Sequence, residues 1–372
     1  MLNLSQNGCS VWVTSSTELA LTPTFVALGK FDGVHLGHQR VIQPILPPTR
    51  TEEDAGTRGD GDTGKVHEKL SASERLPVSA SSQTPHVYST VVTFDPHPQE
   101  FFTGQPRTWL TPLDEKIHAL RSLGVEQLVL LPFGKELSAL TPEEFVQKIL
   151  VEQLQAARIS VGQDFCFGSN RTGTAKDLQL LAAKYGIPVT IVPLETCGAH
   201  ESTDSSEASA VSSQETRIST SLIRQLLQSG DIEQANQLLG RAYTLIGTVV
   251  KGQQLGRTIG FPTANLEIPK DKFLPRQGVY AVRVFAVGET LDTPENSYLG
   301  VMNIGHRPTV NGMYQSVEVH LFDWSGDLYG KKLMVQLERF LRPEQKFSSL
   351  EALKTQIQQD CAVARAFFSA GC

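Results

Sequence analysis

Short apolar runs separated by helix-start signals dominate the first two thirds of the chain. Residues 25–28, 87–94, 127–131 and 187–192 are near-continuous apolar stretches of strand length, the pattern of strands buried in a parallel sheet. Between them, Thr111-Pro112 opens one helix and Gly124 closes it, while Thr141-Pro142-Glu143-Glu144 reads as a capping box with proline at the first helical position. Such alternation predicts a parallel sheet covered by helices, with ligands at the carboxyl ends of its strands. After residue 242 the pattern shifts to closely spaced apolar runs punctuated by glycine, at 245–250, 278–285, 299–304, 316–322 and 332–337. This predicts an antiparallel barrel or sandwich. A last helix opens at the capping box Ser348-Ser349-Leu350-Glu351, and Leu350, Leu353, Ile357, Cys361, Ala364 and Phe368 form a stripe that would seal the barrel.

Two segments, 47–86 and 199–216, are rich in Ser, Thr, Glu, Gly and Pro and nearly free of large apolar residues. They cannot bury enough surface to offset ordering entropy, so disordered insertions are expected there. The division is therefore an α/β domain over 15–240 and a β domain over 242–372. A length of 372 residues supports two domains, and 40% hydrophobic with 19% charged residues fits a globular protein. A formal net charge of −6 gives no electrostatic footprint for nucleic acid. No run approaches the roughly 18 apolar residues of a membrane span, and residues 1–14 contain no Lys or Arg and do not resemble a secretory leader. Cys9, Cys166, Cys197, Cys361 and Cys372 are odd in number with no Cys-X-X-Cys pair, which suits reduced thiols in the cytoplasm.

The most specific stretch is Gly29-Lys30-Phe31-Asp32-Gly33-Val34-His35-Leu36-Gly37-His38, directly after the first apolar run. Gly29 and Gly33 allow close backbone approach to a ligand, and a helix start offers unpaired N–H groups to an anion. His35 and His38 are placed on one helical face and can address the same anion. Surface histidines or a chance pair of metal ligands are the plainer readings of that pair. Thr93-Phe94-Asp95-Pro96-His97-Pro98 and Gly162-Gln163-Asp164-Phe165-Cys166-Phe167-Gly168 each follow a strand, and Ser219-Thr220-Ser221 with Arg224 opens a helix. Hydroxyls and N–H groups at a helix start beside an arginine suit a nucleoside triphosphate. In the second half, glycines 252, 256 and 260 precede Phe261-Pro262-Thr263-Ala264-Asn265 without a Walker ending. Glu318 and His320 share one strand face among apolar neighbours, so Glu318 is either a paired structural charge or a general base.

Together these motifs resemble the prokaryotic bifunctional riboflavin kinase/FMN adenylyltransferase family, over nearly the whole chain outside the two polar segments and its first residues. Lys30 stands where many relatives carry Asn. The resemblance implies a Rossmann-like nucleotidylyltransferase domain followed by an antiparallel kinase β-barrel with a C-terminal helix. It implies phosphorylation of riboflavin by ATP to FMN, then adenylylation of FMN to FAD with release of pyrophosphate. Gly29, Lys30, Phe31, His35, His38, Ser221 and Arg224 would serve ATP in the first domain. Asp32, Asp95, His97 and Asp164 would serve FMN, with the three aspartates open between flavin orientation and metal. In the second domain Gly252, Gly256, Gly260, Thr263, Asn265 and Arg342 would serve ATP and flavin. Thr263 and Asn265 would offer oxygens to Mg²⁺, and Glu318 would be the base. Arg342 reads more readily as a packing or paired residue than as a catalytic one. The expected partners are the small molecules riboflavin, FMN and ATP, with no nucleic acid and no membrane. A single-activity relative would lack the set His35, His38, Ser221 and Arg224. A flavin-binding protein without catalysis would lack Glu318 or the Thr263/Asn265 pair.

Overall fold

A computed structural model describes residues 11–47, 86–197, 216–252, 255–286, 297–309 and 312–370. The polar segments expected to be insertions therefore lie, except at their edges, outside the described residues. The first half begins with β1 (Trp12–Thr14), β2 (Thr24–Leu28), α1 (Leu36–Ile42), β3 (Tyr88–Asp95), α2 (Pro98–Thr103) and α3 (Leu113–Ser122). It continues with β4 (Gln127–Pro132), α4 (Lys135–Ala139), α5 (Pro142–Glu144, prolonged by a π-helical Phe145–Gln153) and β5 (Ala156–Gly162). A small hairpin of β6 (Cys166–Phe167) and β7 (Gly173–Thr174) leads to α6 (Ala175–Ala183) and β8 (Val189–Val192). The ribbon β9 (Thr196–Cys197) and β10 (Thr216–Arg217) precedes α7 (Thr220–Ser229) and α8 (Ile232–Leu239).

The parallel sheet runs β1-β4-β3-β2-β5-β8, so β2 and β3 are central and their carboxyl ends lie side by side. Val26, Ala27, Leu28, Val91 and Val92 are buried, as strands covered on both faces must be. The edge strand β1 escapes the pattern because three residues carry no readable period. The Thr141 capping box forms as expected: Thr141 Oγ1 accepts the Glu144 N–H (3.2 Å) and Glu144 accepts the Thr141 N–H (3.0 Å). Pro112, by contrast, stands at the N-cap of α3 rather than inside its first turn.

The second half is β11 (Tyr243–Val250), α9 (Leu255–Thr258), β12 (Ala264–Glu267), β13 (Gly278–Ala286), β14 (Tyr298–Thr309), β15 (Gly312–Leu321), β16 (Lys332–Pro343) and α10 (Leu350–Ala370). The six strands close into a barrel in the order β11-β12-β15-β14-β13-β16, which decides barrel over sandwich. Period-2 alternation sends Tyr280, Val282, Val317, Val319, Val335 and Leu337 inward. Val279, Ala281 and Val301 face outward, where Ala364, Cys361, Phe367 and Phe368 of α10 cover them. The helix thus covers an outer wall of the barrel, and Leu350 at its start stays exposed.

A buried seam joins the halves. The Trp109 N–H donates to Asp271 O (2.6 Å) and its carbonyl accepts the Phe273 N–H (2.8 Å). Lys272 pairs with Glu115 of α3 and donates to Leu110 O (2.6 Å), while Glu115 also accepts the Ile246 N–H of β11 (3.3 Å). α7 and α8 pack Ile223, Leu227, Ile232 and Leu239 into the same apolar cluster as the barrel interior.

Candidate active sites

The loop from β2 into α1 is wound tightly. Phe31 (φ 47°), Gly33 (φ 97°) and Val34 (φ 44°) are all left-handed, a conformation that glycine tolerates and a β-branched residue resists. Neighbouring groups hold it there: Gly33 donates to Thr111 Oγ1 (2.9 Å), Arg241 donates to Gly33 O (2.9 Å), and Gln39 donates to Val34 O (3.1 Å). This winding turns His35 into the N-cap of α1, with its Nδ1 accepting the His38 N–H at 3.4 Å. The two imidazoles stack with centroids 3.7 Å apart, so their meeting comes from cap geometry rather than from a shared helical face. Burial lowers the His35 pKa to about 4 and holds His38 well below its usual value. Both rings are neutral near pH 7. Since His35 Nδ1 accepts a hydrogen bond, the ring's own hydrogen sits on Nε2, which can donate outward.

Asp32 is taken up within the fold. Its buried carboxylate accepts the Leu110 N–H (2.7 Å) and pairs with Arg224 (3.0 Å) and Arg107 (3.5 Å). It anchors the loop to α7 and to the segment before α3, and its main-chain oxygen accepts from Thr220 Oγ1 (2.9 Å). Arg224 also donates to Thr108 and lies over the Phe273 ring (4.7 Å). Ser221 is exposed on the first turn of α7, while Ser219 is the N-cap, accepting the Leu222 N–H (3.2 Å). At the end of β3, Asp95 is exposed, whereas His97 is buried as the N-cap of α2, with Nδ1 accepting the Gln99 N–H (3.0 Å). Burial, followed by the nearby Arg107 and Lys30 cations, lowers the His97 pKa to about 4. Asp164 is exposed and paired with Arg217 (2.5 Å). Partial burial and then the cations Arg171 and Arg107 lower the pKa of Lys30, a crowding of positive charge suited to an anion.

Several groups here carried no readable signal. Arg107 and Thr108 line a cleft of about 390 Å³ with Gln99, Glu100 and Arg224, yet sit in a loop without a motif. Phe94, Phe101, Phe102 and Phe133 form an edge-to-face cluster, and Phe102 is 70% exposed.

The barrel carries a second constellation. Register places Asn265 of β12 and Asn303 of β14 on either side of Glu318 of β15, one row across three strands. Asn303 is the member that sequence reading did not single out. Val317 and Val319 point inward, so the row stands on the outer surface. Thr263 Oγ1 donates to Glu318 Oε2 (3.3 Å), and His320 Nδ1 lies 2.9 Å from Pro262 O. A Cβ on Gly252 would collide with the Asn265 side chain, and one on Gly256 with Phe261 O. These two glycines therefore wrap the Thr263–Asn265 turn, and Gly260 (φ 89°) is exposed beside it. Arg342 is committed elsewhere: its guanidinium grips Asp360 of α10 (2.8–3.1 Å), which makes it a clamp for the helix. The donors Thr263, Asn265 and Glu318 are all hard oxygens, and no group of three His, Cys, Asp or Glu side chains suited to a metal occurs among the described residues. That chemistry fits a magnesium ion shared with phosphates, which takes few protein ligands.

Comparison with known proteins matches each half of the chain to a family of its own. A family model described as FAD synthetase matches residues 18–54 and 77–207, and one described as riboflavin kinase matches residues 239–368. The chain is 36% identical over 344 residues to the bifunctional riboflavin kinase/FMN adenylyltransferase of Escherichia coli K12, covering 92% of each. It is 34% identical to the protein of that name from Listeria monocytogenes, again covering 92% of each. A solved structure described as a macrolide-efflux protein from Streptococcus pneumoniae superposes with a TM-score of 0.70 at 28% identity, covering 96% of this chain and 99% of that one. Among the described residues no helix is long and apolar enough to cross a membrane. With both halves matched in order and the relatives covered almost end to end, the chain belongs to the bifunctional riboflavin kinase/FMN adenylyltransferase family.

Proposed function

We propose that the barrel phosphorylates riboflavin with ATP to give FMN, and that the parallel-sheet domain transfers AMP from a second ATP to FMN, giving FAD and pyrophosphate. The observation that carries this reading is the presence of two separate phosphate-chemistry constellations on two folds of one chain whose halves match two different family models.

In the barrel, Glu318 is the base that accepts the proton of the ribityl terminal hydroxyl as its oxygen attacks the γ-phosphorus of ATP. Thr263 and Asn265 would hold Mg²⁺ together with the ATP phosphates, and the bound ion supplies neutralisation of phosphate charge. In the sheet domain the attacking FMN phosphate is already anionic, so positioning and charge stabilisation suffice. His35 Nε2–H and His38 face the triphosphate, and Ser221 with Arg224 steadies its outer phosphates. Asp95, Asp164 and His97 border the flavin phosphate, while the Phe102 cluster offers an apolar face to the ring. Asp32 acts by fixing Arg224 and the loop. Five cysteines without a Cys-X-X-Cys pair, two of them free among the described residues, favour the cytoplasm.

Incubation with riboflavin, ATP and Mg²⁺, followed by chromatography, should yield FMN and then FAD. Glu318→Gln should slow FMN formation by about 10²–10⁴-fold while FAD formation from supplied FMN continues. Normal riboflavin phosphorylation by that variant would remove Glu318 as the base.

A further inference from the structure

We infer that Lys116 is a further catalytic residue of FMN adenylylation, its ammonium contacting the phosphate oxygens that meet between the His35/His38 pair and the end of β3. This rests on the adenylyltransferase reading above. Successive residues of a helix point about 100° apart. On the first turn of α3, Glu115 faces the seam with the barrel, and Lys116, one residue on, turns into the sheet domain. Its side chain is 5% exposed, and its Nζ lies 4.8 Å from the centroid of the Trp109 ring. Among the described residues the ammonium makes no hydrogen bond and no ion pair. The Trp109 ring beneath it packs edge-on against His97, centroids 5.5 Å apart, which sets the ammonium beside the end of β3, and Asp32 and Asp95 attract it.

The stem is buried, yet Nζ is not among the fully enclosed side-chain atoms that lack a partner, so its tip stays within reach of an anion entering from solvent or of a counter-ion in the fold. Asp32 does not fill that role, since its carboxylate is occupied by Arg224, Arg107 and the Leu110 N–H. Asp95 is exposed to solvent at the end of β3. The missing anion is what the reaction brings. A phosphate oxygen of FMN attacks the α-phosphorus of ATP; the new O–P bond forms as the bond from that phosphorus to the bridging oxygen breaks, and the electron pair leaves with pyrophosphate. No proton needs to move. A fixed cation at this point stabilises the charge gathered on the transferring phosphorus oxygens. Trp109, the shelf under the ammonium, is itself held by Asp271 and Phe273 of the barrel half. Burial lowers the Lys116 pKa to about 8, against the pull of the two aspartates, which leaves it mostly charged at neutral pH.

The test uses the full chain with Lys116→Met, which keeps the stem over Trp109 and removes the charge, and Lys116→Arg, which restores it. For each variant kcat and KM are measured for FAD formation from FMN, and riboflavin phosphorylation is measured on the same preparation. Lys116→Met should lower kcat for FAD formation by about 10²–10³-fold, with KM for ATP changed by less than about threefold. Riboflavin phosphorylation should stay within about twofold, and Lys116→Arg should recover at least about tenfold of the lost kcat. FAD formation by Lys116→Met within about twofold of the unmodified protein would overturn the inference. So would an equal loss of both activities that arginine does not restore, since that pattern is structural. If the unmodified protein formed no FAD from FMN, the adenylyltransferase reading itself would fall.

Discussion

Burial of His35 and His97 strips both side chains of the charge they carry in water at mildly acid pH. Each folded-state pKa is about 4 against an ordinary histidine value of 6.5. Between those values the unfolded chain binds more protons than the folded one, so stability falls as pH drops from about 6.5 toward 4. Each group contributes a slope of about 1.4 kcal/mol per pH unit in that window and nothing above it. Urea unfolding at pH 7.5 and at pH 5 should show this loss. His97→Asn keeps an N-cap acceptor but cannot titrate, so it should flatten the slope by about one group's share. An unchanged slope would mean that His97 is charged in the folded state. For catalysis, neutral rings imply that FAD formation has no histidine limb near pH 6.5. His38→Ala should cut FAD formation by about 10²–10³-fold and leave FMN accumulating.

The first turn of α3 carries more than its length suggests. Glu115 and Lys272 form a buried pair across the two halves, further tied to Leu110 O and the Ile246 N–H. A buried pair need not stabilise in net terms, but breaking one side leaves an uncompensated charge. Lys272→Met should therefore cost about 3–5 kcal/mol in denaturant unfolding, and the double variant with Glu115→Leu should regain most of it. Equal stability of Lys272→Met and the parent would show that the pair is solvated. The same turn sets the Trp109 shelf, so its geometry bears on the adenylylation cleft as well as on the seam.

Across the molecule, residues 208–238 fall between the two matched family models, yet they contain Ser221, Arg224, α7 and most of α8. Their apolar faces join the barrel's cluster through Ile223, Leu227, Ile232, Ala235 and Leu238, while Arg224 reaches back to Asp32. These helices belong physically to both halves. A fragment of residues 216–372 should accordingly melt several degrees higher than one of residues 242–372, because the shorter piece loses the cover over β11 and β16. Identical melting temperatures in calorimetry would place α7 and α8 with the sheet domain alone.

Local pattern was enough for the alternation of strand and helix, the Thr141 cap and the β-rich second half, because periodicity and capping are written in neighbouring residues. The motifs around His35, His38, Thr263 and Glu318 were legible for the same reason: each is contiguous. What neighbouring residues could not express was long-range register and burial. Barrel closure, the row Asn265–Glu318–Asn303, and the commitment of Asp32 to Arg224 and of Arg342 to Asp360 all depend on partners far apart in the chain. The charge states of the histidines and the solitary position of Lys116 depend likewise on desolvation, which exists only once the chain has folded.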